Sequence, residues 1–392
     1  MLTLSAKVLQ QGVPFADNPV HRRTPRVLFT LTTNARLPQA ARSGKAFLMR
    51  EPGELPSGFP QVVALERARV QLGAVANLTV VPNELDYMAD GDVVALSSDG
   101  RIRVLYRANT PHNGVLLTEQ CNNYCLMCSQ PPREVDDRWL LDEAMELISH
   151  LPRDGRPGLV LSGGEPTTWG AGFIELIDQF KRQRPNVVLH VLSNGRRFAD
   201  FEFARAYAAV KHPDIAVGIP VYSADPTRHD YVVQAAGAFD ETVRGILNLK
   251  RLGQRVEIRV VLHRQTIDGL TELARFIARN LLFVDKVALM GLEMTGFTRA
   301  NLDALWIDSA DYRDTLSEAV RVFKHFDIPV EIYNHQLCLV NRDVEDVYVR
   351  SISDWKKEYA QECAVCVRRT ECGGFFASSI REVYSRKLVP FF

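Results

Sequence analysis

From Gly114 onward, short β-rich apolar runs alternate with stretches whose apolar residues recur at helical spacing. The runs at 115–118, 159–161, 187–192, 215–221, 256–262 and 284–289 predict strands. Between them, Phe173, Leu176, Ile177 and Phe180 fall at i, i+3, i+4 and i+7 and predict one buried helix face. Phe239, Val243, Ile246 and Leu247 predict a second, and Leu270, Leu273, Ala274, Ile277 and Leu281 a third. Asp142 is placed to cap a helix running to about Leu151. About six βα repeats are fewer than the eight of a closed TIM barrel, so the α/β expectation is a partial (β/α)6 barrel. Ahead of it, 92–96 and 101–107 flank Ser98-Asp99-Gly100, and Ile102, Val104 and Tyr106 alternate, which reads as a hairpin. The expected organisation is a small β-rich domain over 1–110, the barrel over 111–330 and a Cys-rich extension over 331–392. Pro and Arg around 21–26 suggest an exposed loop. There is no internal repeat or low-complexity tract.

Composition narrows the class. Lys plus Arg and Asp plus Glu each number 47, which removes a bulk electrostatic case for nucleic acid or membrane as partner. No apolar run approaches the roughly 18 residues a membrane span needs. The seven cysteines are an odd number, and the N-terminus lacks the pattern of a secretory signal. A disulfide framework is not expected, and a cytoplasmic location is.

Three of those cysteines, Cys121, Cys125 and Cys128, stand in the order Cys-Asn-Asn-Tyr-Cys-Leu-Met-Cys. Three thiolates can hold three irons of a cubane and leave the fourth open to a ligand that is not protein. A structural zinc site wants a fourth Cys or His nearby, and 115–147 offers neither. One βα unit later comes Ser162-Gly163-Gly164-Glu165-Pro166-Thr167. Its glycines let backbone approach a ligand closely, and Glu165 can accept hydrogen bonds from an ammonium group. The next strands end in Ser193-Asn194-Gly195, polar enough to meet a ribose or a methionine moiety, and in Tyr222-Ser223-Ala224-Asp225. His229 and Asp230 read as local caps. Arg259 sits among apolar strand residues and wants an anion.

The cysteine spacing resembles the signature of the radical S-adenosylmethionine (SAM) enzymes, and Gly163-Gly164-Glu165-Pro166 resembles that family's SAM-binding motif. The resemblance implies a [4Fe-4S] cluster on Cys121, Cys125 and Cys128, with SAM on its open iron and Glu165 on the SAM amino group. It also implies SAM contacts at Gly163, Gly164, Ser193, Asn194 and Ser223. Arg259 would meet the SAM carboxylate; the alternative is a salt bridge to a neighbouring acid. Where the family usually has an aromatic residue near adenine, just before the third cysteine, this chain has Met127, with Tyr124 displaced to before the second.

Cys338, Cys363, Cys366 and Cys372 follow the barrel. Four thiolates close either a cubane or a zinc site. The arrangement resembles the auxiliary-cluster regions of peptide-modifying radical SAM enzymes and favours a second [4Fe-4S] cluster, with Cys338 the most remote ligand. Together with the Cys-Ser-Gln-Pro-Pro run from Cys128 and the N-terminal β region, it is similar to the His-Xaa-Ser system radical SAM maturases. That implies hydrogen abstraction from a ribosomally made peptide or small protein. A partner maturase and an electron donor such as flavodoxin or ferredoxin are implied too. The competing readings are a radical SAM enzyme for a small molecule or cofactor precursor, and a non-catalytic iron–sulfur protein.

Overall fold

The computed structural model describes residues 4–11, 26–68, 77–111, 113–354 and 356–392. The segment 21–25 lies outside the described residues.

Strands β1 (Ser5–Lys7), β2 (Arg26–Thr32), β3 (Lys45–Met49), β4 (Gln61–Leu65), β5 (Leu78–Val81), β6 (Val93–Ser97) and β7 (Arg101–Tyr106) form one mixed sheet, ordered β1-β7-β6-β2-β3-β4-β5. The predicted hairpin is β6–β7. Beyond β1, which pairs with β7, the chain bridges the opposite edge. Val80 N–H donates to Gln10 O at 2.8 Å, so the N-terminal segment forms one edge as β1 and bridges to β5 at the other. Period-2 alternation divides the side chains between two cores. Phe29, Leu31, Val94 and Leu96 pack within this unit, while Leu28, Val93, Ala95 and Tyr106 join the core of the barrel.

The second sheet is entirely parallel: β8 (Gly114–Leu116), β9 (Gly158–Ser162), β10 (Val188–Leu192), β11 (Ile215–Pro220), β12 (Arg255–Leu262), β13 (Lys286–Gly291) and β14 (Val330–Tyr333), in sequence order. This is the expected α/β partial barrel, with β14 added across the expected 330/331 boundary. Its β-branched residues on one face, such as Val256, Ile258 and Val260, pack with helical Phe173, Phe180, Ile246 and Ile277.

Three local expectations need correction. Asp142 is not a cap: the helix begins earlier, at Arg138–His150, and Asp142 pairs with Arg138 one turn back at 3.2 Å. In Ala238–Arg251, Leu247 is exposed and Leu249 is buried, because the packed stripe runs through Phe239, Thr242, Ile246 and Leu249. Arg26, expected in an exposed segment, is buried against the barrel, where its guanidinium meets Glu143 at 3.2 Å.

Candidate functional site

The cysteine loop leaves β8 and runs to the helix Arg138–His150. A loop has no ladder to satisfy its peptide groups, so neighbours must do it. At its root the buried Asp137 carboxylate accepts from Thr118 Oγ1 at 3.1 Å and from Glu119 N–H, and it makes no cap to its own helix. From the turn after β9, Gly164 N–H donates to Thr118 O and Glu165 N–H to Gln120 O, each at 2.8 Å. From the turn after β10, Asn194 Nδ2 donates to Asn122 Oδ1 at 2.6 Å, and Arg196 Nη1 to Asn122 O at 2.7 Å and Asn123 Oδ1 at 2.6 Å. The helix Pro226–Val233 ends by offering the Val233 and Val232 carbonyls to the N–H groups of Tyr124 and Leu126, at 3.0 Å.

A fourth support lies after β13. Phe297 N–H donates to Cys128 O at 2.8 Å, Thr298 Oγ1 to Met127 O at 3.1 Å and Asn301 Nδ2 to Leu126 O at 2.9 Å. Gly296, at φ 55° and ψ −131°, passes so close to the Cys128 carbonyl that a Cβ would collide with it. This strap was missed in the sequence, where its one signal is a glycine shortly after a strand.

The three thiols are thereby held half-buried and near one another. Burial pushes the Cys121 thiol up to about 11 and the Cys125 thiol up to about 12, and raises Cys128. Such thiols release their protons to a metal rather than to water at neutral pH, which suits ligands of a cluster.

The paired glycines also make a close contact within the protein. A Cβ on Gly163 would lie 2.5 Å from Thr118 O, and one on Gly164 would run into Gln120 O, so this turn is pressed against the cysteine loop. Glu165, 1% exposed, gathers the neighbouring turns. Its Oε1 accepts from Thr167 N–H at 3.0 Å, Thr167 Oγ1 at 2.6 Å and Ser193 Oγ at 2.9 Å, and its Oε2 from Asn194 N–H at 2.6 Å. Burial raises its carboxyl, and those donors pull the other way. The structure thus brings Glu165, Ser193 and Asn194 together beside the cysteines. A cleft of about 460 Å³ opens there, lined by Asn122, Glu165, Thr167, Arg196, Asp200 and Glu241 among others.

Met127 is buried with Tyr222, Val232, Val233 and Leu305, whereas Tyr124 is 46% exposed. Ser223 is buried just past β11, its Oγ accepting from Asp225 N–H at 3.0 Å. His229 Nδ1 accepts from Tyr222 N–H at 3.2 Å, and Asp230 accepts from Gly237 and Phe239 N–H at 2.6 and 2.8 Å, both local caps. Arg259 makes the salt bridge that was its alternative reading, Nη1 to Glu257 Oε1 at 2.8 Å, with Nη2 against Met290 Sδ at 3.1 Å. Since Val256, Ile258 and Val260 face the helices, Glu257 and Arg259 face the concave side of the sheet. Glu257 Oε2 also meets Lys286 Nζ at 3.1 Å, and Lys286 reaches Glu331 at 2.8 Å and Tyr333 Oη at 3.0 Å. Burial raises the Glu257 carboxyl, but Arg259, His190 and Lys286 together hold it below the ordinary value. The concave face is charged across β12, β13 and β14.

Residues 115–277, which span the loop, the Gly-Gly-Glu turn and most of the sheet, match the Radical SAM superfamily. This segment therefore carries a radical SAM domain. Curated proteins similar to it include an Fe-coproporphyrin III synthase of Methanosarcina barkeri, 26% identical over 38% of this chain and 37% of that protein. Another is an AdoMet-dependent heme synthase of Nitratidesulfovibrio vulgaris, 26% identical over 51% of this chain and 53% of that protein. The chain therefore spans about half or less of the curated relatives it matches. Among solved structures, Streptococcus suis SuiB bound to S-adenosylmethionine has a TM-score of 0.45 at 14% identity, over 64% of this chain and 54% of that one. The enzyme anSMEcpe, with bound AdoMet and a peptide, has a TM-score of 0.44 at 15% identity, over 56% and 63%. A radical SAM domain implies a [4Fe-4S] cluster and SAM.

Past the radical SAM domain, Cys338, Cys363, Cys366 and Cys372 line one small cavity of about 20 Å³. The most remote of them in sequence, Cys338, reaches it on the short turn Leu337–Leu339 that follows β14. Among the described residues, no three Cys, His, Asp or Glu side chains converge tightly enough to hold a single metal ion. These four thiols instead ring a space.

Proposed function

We propose that this radical SAM enzyme abstracts hydrogen from a ribosomally synthesised peptide or small protein of the His-Xaa-Ser type and so modifies it. Cys121, Cys125 and Cys128 hold the catalytic [4Fe-4S] cluster; Glu165, Ser193, Asn194 and Ser223, with the backbone of Gly163 and Gly164, position SAM. Met127 packs near adenine, and Arg259 turns one face of its guanidinium to the SAM carboxylate while Glu257 holds the other. Reduced by one electron from a flavodoxin- or ferredoxin-like donor, cluster-bound SAM supplies the 5′-deoxyadenosyl radical. The residues around it exclude water and fix which hydrogen lies nearest. The four later cysteines hold an auxiliary [4Fe-4S] cluster, and the reaction takes place in the cytoplasm.

The observation that supports the peptide reading is the second cysteine group: Cys338, Cys363, Cys366 and Cys372, dispersed in sequence, line one cavity past the radical SAM domain, the arrangement that resembles the auxiliary-cluster regions of peptide-modifying radical SAM enzymes. A second reading, action on a tetrapyrrole or another cofactor precursor, is favoured by the names of the two curated relatives. Incubating the anaerobically reconstituted enzyme with SAM, a reductant and candidate peptides separates the two. A peptide mass change matched by 5′-deoxyadenosine is expected, and both vanish in C121A. Turnover with iron coproporphyrin and none with any peptide would overturn the peptide reading.

A further inference from the structure

Asn123 stands between the first two cysteines of the loop and is only 3% exposed. A buried amide must place both its oxygen and its NH2 group against partners within the protein. The Asn123 backbone N–H donates to Cys121 Sγ at 3.4 Å, and its side chain hydrogen-bonds Cys125. One residue thus serves two of the three thiols, while Cys128 Sγ meets a carbonyl, Gln130 O, at 3.0 Å. On its far side Asn123 Oδ1 accepts from Arg196 Nη1 at 2.6 Å. A guanidinium has donors and no acceptor, so this contact turns the amide oxygen toward Arg196 and leaves the NH2 for Cys125. Arg196 is itself held twice more, Nη1 by Asn122 O at 2.7 Å and Nε by Glu241 Oε2 at 2.6 Å, the latter in the first turn of Ala238–Arg251. The Arg196 side chain is 14% exposed against 47% for Glu241, so water screens the bond to Asn123 less than the salt bridge behind it.

We propose that Asn123 and Arg196 raise the reduction potential of the cluster held by Cys121, Cys125 and Cys128. The inference rests on that cluster assignment. Asn123 gives one N–H to each of two thiolate sulfurs, and Arg196 is a positioning residue that acts through the Asn123 amide. One electron enters from the flavodoxin- or ferredoxin-like donor, or from dithionite in a cuvette, and no bond to sulfur is made or broken. The added negative charge spreads onto the sulfurs, where N–H donors stabilise it, so these contacts favour the reduced state. A cation on Oδ1 polarises the amide and strengthens its NH2 as a donor. Without Arg196 the amide is free to turn its oxygen to Cys125, and an acceptor facing a thiolate disfavours reduction.

The test is a redox titration of the full chain, reconstituted anaerobically and followed by electron paramagnetic resonance. The signal that changes when SAM is added belongs to the loop cysteines, whatever the later cysteines hold, and its midpoint potential is the quantity read. N123A keeps the backbone N–H on Cys121 and loses the amide. It should retain the iron and the SAM-responsive signal, with a more negative midpoint and a smaller fraction reduced by dithionite at fixed pH. R196Q should shift the midpoint in the same direction. The double variant should match N123A, because Arg196 then has no amide to orient. An unmoved midpoint in N123A would overturn the proposal. Shifts that add in the double variant would overturn the action of Arg196 through Asn123. So would loss of the signal in R196Q, which would make Arg196 a support of the loop and nothing more. These samples contain no substrate, so the peptide reading is not at stake in them. No SAM-responsive signal in the unaltered protein would defeat the cluster assignment itself, whereas equal midpoints in protein and variants would defeat this inference alone.

Discussion

Burial makes histidine costly to charge, and His229 and His263 show it most clearly. Burial lowers their values from 6.5 to about 4 and about 3. Both Nδ1 atoms accept backbone N–H groups, from Tyr222 and Gln265, which fixes the neutral tautomer with its proton on Nε2. Below pH 6.5 the unfolded chain takes up protons at these positions and the folded one does not. Stability therefore falls as pH drops from 6.5 toward 4, by about 1.4 kcal/mol per unit for each such histidine, and is unaffected above 6.5. Thermal melts should show Tm dropping between pH 7 and pH 5. H263N keeps a side-chain acceptor for the cap and should flatten the slope. A melt indifferent to pH over that range would refute neutral burial.

At the level of elements, the cysteine loop carries no regular structure of its own and borrows its shape from four turns and helix ends around it. The turn after β9 is the tightest of these contacts, because Gly164 stands directly on the Gln120 carbonyl and near Cys121 Cβ. G164A should push the loop outward and displace Cys121. The expected result is loss of most of the iron bound by that loop, with the iron of the later cysteines retained and the melting curve little changed. Iron and sulfide analysis after reconstitution measures it; full iron content in G164A would show that the loop adapts. By contrast, Glu165 acts within this element as the acceptor that joins Thr167, Ser193 and Asn194 into one piece.

Across the whole molecule, the N-terminal sheet is joined to the barrel by a shared apolar core and by one buried carboxylate. Glu143 receives the Arg26 guanidinium at 3.2 Å and that of Arg103, while both arginines lie over the Trp139 ring, at 3.7 and 5.0 Å. Glu143 and Arg26 side chains are each 7% exposed. E143Q leaves two guanidiniums facing a neutral amide in a dry interface, which should cost roughly 3–5 kcal/mol. Differential scanning calorimetry should show a lower Tm for both units together. An unchanged Tm would mean that the apolar contacts of Leu28, Val93 and Tyr106 suffice to hold them.

The amino-acid sequence by itself determined the barrel strands, most helix faces and the chemistry of the cysteine loop. Those signals are local: period 2, period 3.6, and residues fixed within a few positions of one another. Tertiary structure alone decided where distant groups meet. It placed Gly296, Thr298 and Asn301 on the cysteine loop, turned the paired glycines toward that loop, and set Lys286 on Glu257. It also carried Cys338 to the cavity of Cys363, Cys366 and Cys372. Spacing along the chain does not encode such encounters, because a parallel sheet with crossover connections brings together residues whose separation in sequence is set by intervening helices.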